Sequence, residues 1–183
     1  MRWLNEPAHW SVSDDVLTVT AEVGTDFWRT THYGYVRDTG HVYGADLAGD
    51  FDLAVWVRGA YADQYDQAGA MIRVDEAHWL KTGIELADGR MRLSTVITLE
   101  YSSWAVADLP PRIAELGLLL ARRGDAVEVR YLADGGTRDP AAMELAAIAY
   151  LPPGRPVFAG AMCAAPSGGG FTVSFHDLTI VAT

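Results

Sequence analysis

The chain has a single cysteine, Cys163, so no internal disulfide can form. Basic residues are also scarce, 14 Lys and Arg against 24 Asp and Glu, for a formal charge of -10. That balance repels phosphate backbones, and no basic run or arginine stripe offsets it, so no nucleic-acid partner is expected. Long apolar runs are missing as well. One such run, Leu116 to Ala121, is interrupted by Gly117, and it and every other are too short to cross a bilayer, so no membrane partner is expected. The opening MRWLNEPAHW lacks the apolar stretch of a signal peptide, which with the unpaired cysteine points to the cytoplasm. No GxSxG, P-loop, GxGxxG or CxxC is present. His9, His32, His41, His78 and His176 are too scattered for a zinc site, and Asp46, Asp50 and Asp52 lack the glycine-punctuated order of a calcium loop. Neither metal nor cofactor is therefore expected.

What the chain does have is strands. Val16 to Val23, Phe51 to Val57, Ala68 to Val74, Trp79 to Ala87, Met91 to Glu100, Ala126 to Leu132, Val157 to Met162 and Phe171 to Val181 all carry β-branched, alternating or aromatic runs. Asp88-Gly89, Gly124-Asp125, Asp134-Gly135-Gly136 and Gly168 to Gly170 supply the positive φ that tight reversals require. Eight strands or more in 183 residues predict an all-β, antiparallel β-sandwich, one domain over residues 1–183, with roughly two thirds of its unfolded surface buried. The exception is Pro140 to Ala149, whose Ala, Met, Glu and Leu after an initial proline favour a short helix.

The stretch from Tyr65 to Thr98 is the most informative. Its period of two sets Ala70, Ile72, Val74, Leu80, Thr82, Ile84, Leu86, Leu93, Thr95, Ile97 and Leu99 on one face. Met71, Arg73, Trp79, Lys81 and Glu85 fall on the other, and a charged, aromatic sheet face calls for a ligand or an ion network. If Glu76, Ala77 and His78 form the hairpin loop, Arg73 pairs with Lys81. Two cations across a ladder then require a carboxylate or an anionic ligand nearby. Glu85, roughly 13 Å along the strand, is one candidate, with Glu22 and Glu100 as others. Trp56 and Arg58, on the polar side of FDLAVWVR, extend the face, and Trp28 and Arg29 in TDFWR are placed with Asp26 at one end of a cleft. Structural packing is the other reading of each of these tryptophans.

TDFWR (Thr25 to Arg29), YDQAGAMIRVDEAHWLKTGIE (Tyr65 to Glu85), RLSTVIT (Arg92 to Thr98), GAMCAAP (Gly160 to Pro166), the terminal FTVSFHDLTI and WLNEP (Trp3 to Pro7) together resemble the family called domain of unknown function 1349. Its members are labelled regulation-of-enolase-like. The likeness departs at Ser103-Trp104, where the family commonly has Asp before the tryptophan, and at Ala133 to Gly136, where a longer alanine-rich insert replaces its DG-x-x-W. The resemblance implies a concanavalin A-like (jelly-roll) sandwich, akin to lectins and glucanases by distant analogy, and brings with it no established catalytic activity to transfer. The expected function is thus a non-catalytic binding module. Its ligand is a carbohydrate or another small polar or acidic molecule, held by Trp28, Arg29, Trp56, Arg58, Gln67, Met71, Arg73, Trp79, Lys81 and Glu85. A regulatory module with a protein partner is the alternative. A glycosidase, which needs two carboxyls about 5 to 5.5 Å apart in its retaining form, would have to pair Glu85 with Glu100 or Glu22 across strands. Sandwich edges leave homodimer pairing open.

Overall fold

A computed structural model describes residues 1–183 as two seven-stranded antiparallel sheets and a short two-stranded ribbon. Sheet one runs, in spatial order, β1 (Arg2–Leu4), β6 (His41–Leu47), β15 (Val157–Ala164), β8 (Gln67–Asp75), β9 (His78–Ala87), β10 (Arg90–Leu99) and β11 (Tyr101–Asp108). Sheet two runs β14 (Glu144–Tyr150), β13 (Ala126–Ala133), β12 (Leu116–Arg123), β7 (Phe51–Gly59), β16 (Phe171–Ala182), β3 (Val16–Ala21) and β2 (Trp10–Ser13). The ribbon pairs β4 (Phe27–Arg29) with β5 (Val36–Asp38).

The predicted alternation decides which faces meet. Ala70, Ile72, Leu80, Ile84 and Leu93 from sheet one join Leu53, Val55, Val57, Leu118, Leu120, Val173 and Phe175 from sheet two in one buried core. Each large aliphatic or aromatic side chain enclosed there stabilises the fold by roughly 1.5–3 kcal/mol. Thr82 and Thr95 also point inward, and their hydroxyls bond each other at 2.9 Å, so neither is left unpaired in the core. The β9–β10 hairpin turns on Asp88 and Gly89, both at positive φ, as the primed turn of a two-residue loop requires.

Three expectations are corrected. Residues 140–149 form no α-helix: Pro140–Ala142 is one 3-10 turn capped by Asp139, and Glu144–Tyr150 is the edge strand β14. A seven-residue run gains little from helix propensity when β13 offers it a ladder, so tertiary pairing wins. The β8–β9 loop is Glu76-Ala77 alone, closed by Asp75 Oδ1, which accepts from the Ala77 amide (2.9 Å) and lies 2.8 Å from His78 Nδ1. With a bulge between Arg73 and Asp75, Arg73 pairs with Trp79 and Met71 with Lys81, so the two cations are not directly opposed. Lastly, β7 belongs to sheet two, which removes Trp56 and Arg58 from the face of β8 and β9. Arg58 pairs with Glu115 at 3.0 Å, and Arg138 lies over the Trp56 ring at 4.5 Å.

The outer face of sheet one is covered rather than open. The ribbon lays Phe27 and Trp28 onto Val42, Met71, Trp79, Val96, Phe158 and Met162, forming a second, smaller core. Arg29 ties the ribbon to β11, its amide donating to Ser102 Oγ (2.9 Å) and its Nε to the Glu100 carbonyl (3.0 Å). Beside this cover, Gly69 and Gly83 face each other across β8 and β9. A Cβ on either would collide with the facing strand's backbone, the Thr82 carbonyl in one case and that of Ala68 in the other.

Candidate functional site

Where the second core ends, the outer face opens into a cleft with about 70 Å³ of free space. That is room for several waters or one compact chemical group. Its floor is polar. Lys81, the chain's single lysine, is only 4% exposed. Its Nζ donates to Phe27 O (2.7 Å), Gln67 Oε1 (2.6 Å) and Asp26 Oδ1 (3.2 Å). An ammonium has three N–H groups, and these three acceptors use all of them. Asp26 is held in turn, since the same Oδ1 accepts from the Phe27 amide at 2.8 Å and the Asp26 amide donates to Thr39 Oγ1 at 3.1 Å. A compact ammonium fits a convergent set of acceptors that a planar guanidinium could not enter.

Glu85 completes the floor. It stands opposite Gln67 on β9, is 6% exposed, and accepts a hydrogen bond from Trp104 Nε1 at Oε2 (3.1 Å). Burial pushes its carboxyl above the ordinary carboxylate value. The charge of Lys81 is the largest opposing influence, Asp26 adds to the rise, and hydrogen bonds with Ser94 and Trp104 counter it. Glu85 itself forms no ion pair, the one ionic contact in the floor being that of Lys81 with Asp26.

The walls are aromatic. Tyr33 and Tyr35 come from the β4–β5 loop, where Thr30, His32 and Gly34 all take positive φ and the Thr30 amide bonds to Tyr35 O at 2.7 Å. Trp28 meets Tyr33 edge-on at 5.6 Å, and Tyr33 stacks on Tyr35 at 5.5 Å. Tyr65, at φ 70, precedes the buried Asp66 in the β7–β8 connection and meets Trp104 edge-on at 6.3 Å. A positive φ on an aromatic residue is uncommon, and the Asp66 carboxylate stabilises the connection by accepting from the Ala62 and Asp63 amides, each at 2.9 Å. The hydrogen bond of Tyr33 with Tyr65 is the chief reason that the Tyr33 phenol is pushed up to about 12, with burial and the field of Glu85 adding to it.

Of the residues expected at a site, the cleft gathers Asp26, Trp28, Gln67, Lys81 and Glu85. Met71 and Trp79 share the same face but lie under the ribbon, Trp79 being 1% exposed with Phe27 against its edge, so neither ring nor thioether reaches the cleft. Arg73 is directed to Asp38, 2.6 Å away, and Arg29 to the β10–β11 turn. Trp56 and Arg58 are on the other sheet. Glu22 accepts from the Ala8 amide, and Glu100 lies beside Arg29 and His78, so neither carboxylate lines the cleft with Glu85. The sequence reading missed Tyr33, Tyr35, Tyr65 and Trp104 as lining residues. Trp104 has a legible signal: Ser102, Trp104 and Val106 continue the outer alternation once β11 is recognised.

Two seven-stranded antiparallel sheets enclosing a mixed core, with an aromatic-walled cleft on one outer face, define a concanavalin A-like β-sandwich. The chain belongs to the family described as "Protein of unknown function (DUF1349)", whose model matches residues 3–183. It is 34% identical over 180 residues to "Regulation of enolase protein 1" of Saccharomyces cerevisiae, covering 98% of this chain and 88% of that one. A solved structure of a functionally unknown S. cerevisiae protein superposes with a TM-score of 0.91 at 34% identity, over 100% of this chain and 96% of the other. The carbohydrate-binding module CBM66 from Bacillus subtilis superposes at a TM-score of 0.61 and 12% identity, over 98% and 95% of the two chains, and shares the fold. No helix is long and apolar enough to cross a membrane.

Proposed function

We propose that this protein is a non-catalytic, cytoplasmic binding module of one domain, whose cleft between Trp28, Tyr65, Trp104 and Glu85 takes one end of a small polar ligand, a carbohydrate. The observation that carries the reading is the pairing of aromatic walls with a buried, hydrogen-bonding floor. Rings stack on the apolar faces of sugars, while Glu85, Gln67 and the tyrosine hydroxyls can take hydroxyl hydrogen bonds. The shared fold with a carbohydrate-binding module supports it. Titration calorimetry against mono- and disaccharides tests it: Trp104→Ala and Glu85→Ala should each abolish a response that Trp56→Ala keeps. Binding that persists in both cleft variants would refute the assignment.

A second reading, a regulatory module acting on another protein, is favoured by the name of the yeast relative. Its signature would be one stoichiometric protein partner and no heat of binding with any sugar.

A further inference from the structure

The cleft's electrostatics choose between kinds of polar ligand, and the inference here rests on the binding-module reading above. All three Lys81 N–H groups are occupied by Asp26, Phe27 and Gln67, so the floor offers no free cation to an anionic group. Arg29 and Arg73, the other cations expected at the site, face elsewhere. What remains is Glu85, more than nine-tenths buried, hydrogen-bonded to Trp104 and without an ion-pair partner. Around it stand rings at steep angles to one another, Trp28 against Tyr33 at 70° and Tyr65 against Trp104 at 79°. Rings so arranged present π-electron density from more than one side. A carboxylate at the base of such walls is the arrangement that holds ammonium groups, because the ring quadrupole and the carboxylate attract the same charge.

We infer that the group entering this cleft is a cationic amine, a protonated or quaternary ammonium on a small polar ligand such as an amino sugar, with Glu85 as its counter-ion and Trp28, Tyr33, Tyr35, Tyr65 and Trp104 as its cage. An acidic ligand, admitted by the sequence alone, is disfavoured by the same geometry. A neutral sugar gains stacking but gives Glu85 no ion-pair partner.

Tetramethylammonium chloride, glucosamine and glucose are the probes, titrated into the full chain and followed by calorimetry at fixed ionic strength. The expected result is that glucosamine binds at least about tenfold tighter than glucose, and that tetramethylammonium binds also. Glu85→Gln should lose at least about tenfold for both cations, while Glu22→Gln, which removes a carboxylate that lies outside the cleft, changes nothing. Circular dichroism and a melting curve confirm that each variant is folded, and Trp104→Ala serves as an independent cleft variant should Glu85→Gln not fold. Glucose binding as tightly as glucosamine would overturn the ammonium inference and leave the sugar reading standing. Tetramethylammonium binding without either sugar would do the reverse. Silence with all three probes, or cation binding unchanged by the cleft variants, would overturn both.

Discussion

Lys81 Nζ and Asp26 Oδ1 lie 3.2 Å apart in the floor of the cleft, joining the middle of β9 to the start of the β4–β5 ribbon. Because this is the only lysine in the chain, its burial can be read directly. Native protein treated with an amine-acylating reagent should gain one group, at the amino terminus, and unfolded protein two, counted by intact mass. Rapid acylation of Lys81 in the native state would contradict the buried contact.

Replacing Lys81 by Met keeps the length but strands the Asp26 carboxylate. Removing one partner of a buried pair costs about 3–5 kcal/mol, so Lys81→Met should lower the urea midpoint strongly. The double variant Lys81→Met/Asp26→Asn should recover part of that loss, since the stranded charge is then gone. A double variant as unstable as the sum of the singles would show that the two groups do not interact.

Glu85 gives a pH signature of opposite sign to an ordinary paired carboxylate. Burial raises its folded-state value above the unfolded one of about 4.5, so the native state holds the proton longer. Its contribution to stability is therefore fully present below about pH 4.5 and lost as pH rises through the folded value. Glu85→Gln should thus gain stability relative to the parent as pH rises, and the gap should close toward pH 4. Urea melts across pH 4 to 8 measure this, and a gap that widens on acidification would reverse the assignment.

Asp75 behaves the other way. Burial alone would raise its carboxyl, but His78, the Ala77 amide and Arg155 together hold it at about 2. Its stabilisation is present above the unfolded value near 3.8 and lost as pH falls toward 2. Asp75 and Arg155 are partly open to solvent, which screens the pair, so Asp75→Asn should cost about 1 kcal/mol at neutral pH and clearly less at pH 2, as judged from urea midpoints at the two ends.

At Gly83, an added Cβ meets the Ala68 carbonyl and Gly69 Cα of the neighbouring strand, backbone that cannot step aside. Gly83→Ala should therefore destabilise by about 1–3 kcal/mol, whereas Gly89→Ser, at a turn glycine with open space around it, strains only the local φ. Equal midpoints for Gly83→Ala and the parent would show that the strands do not approach this closely.

How far the sequence could be read depends on where each signal lives. Strands with period-two alternation, such as β8, β9 and β10, announce both their existence and their inner face, and the division of Ala70, Ile72, Leu80 and Ile84 from Met71, Lys81 and Glu85 follows from it. Register does not, because a two-residue turn with a bulge moves Lys81 from Arg73 to Met71 without changing any face. β11 was hidden because its hairpin turns on Glu100 at φ 65, with neither glycine nor proline to mark it, and Trp104 was hidden with it. The short β4 and β5 carry too few residues for a pattern, so the ribbon that buries Trp79 and delivers Tyr33 and Tyr35 could not be foreseen. Asp26 as the partner of Lys81 is a contact across 55 positions, visible only once the ribbon is folded down.

The location of the binding site is tested most directly by the indole N–H signals of the six tryptophans in a nitrogen-15 correlation spectrum, followed as glucosamine is added. Trp104, whose Nε1 donates to Glu85, and Trp28, whose Nε1 donates to Thr31 O, should shift and saturate together, while Trp56 on the opposite sheet stays fixed. Shifts centred on Trp56, or six stationary signals at saturating amine, would contradict the account.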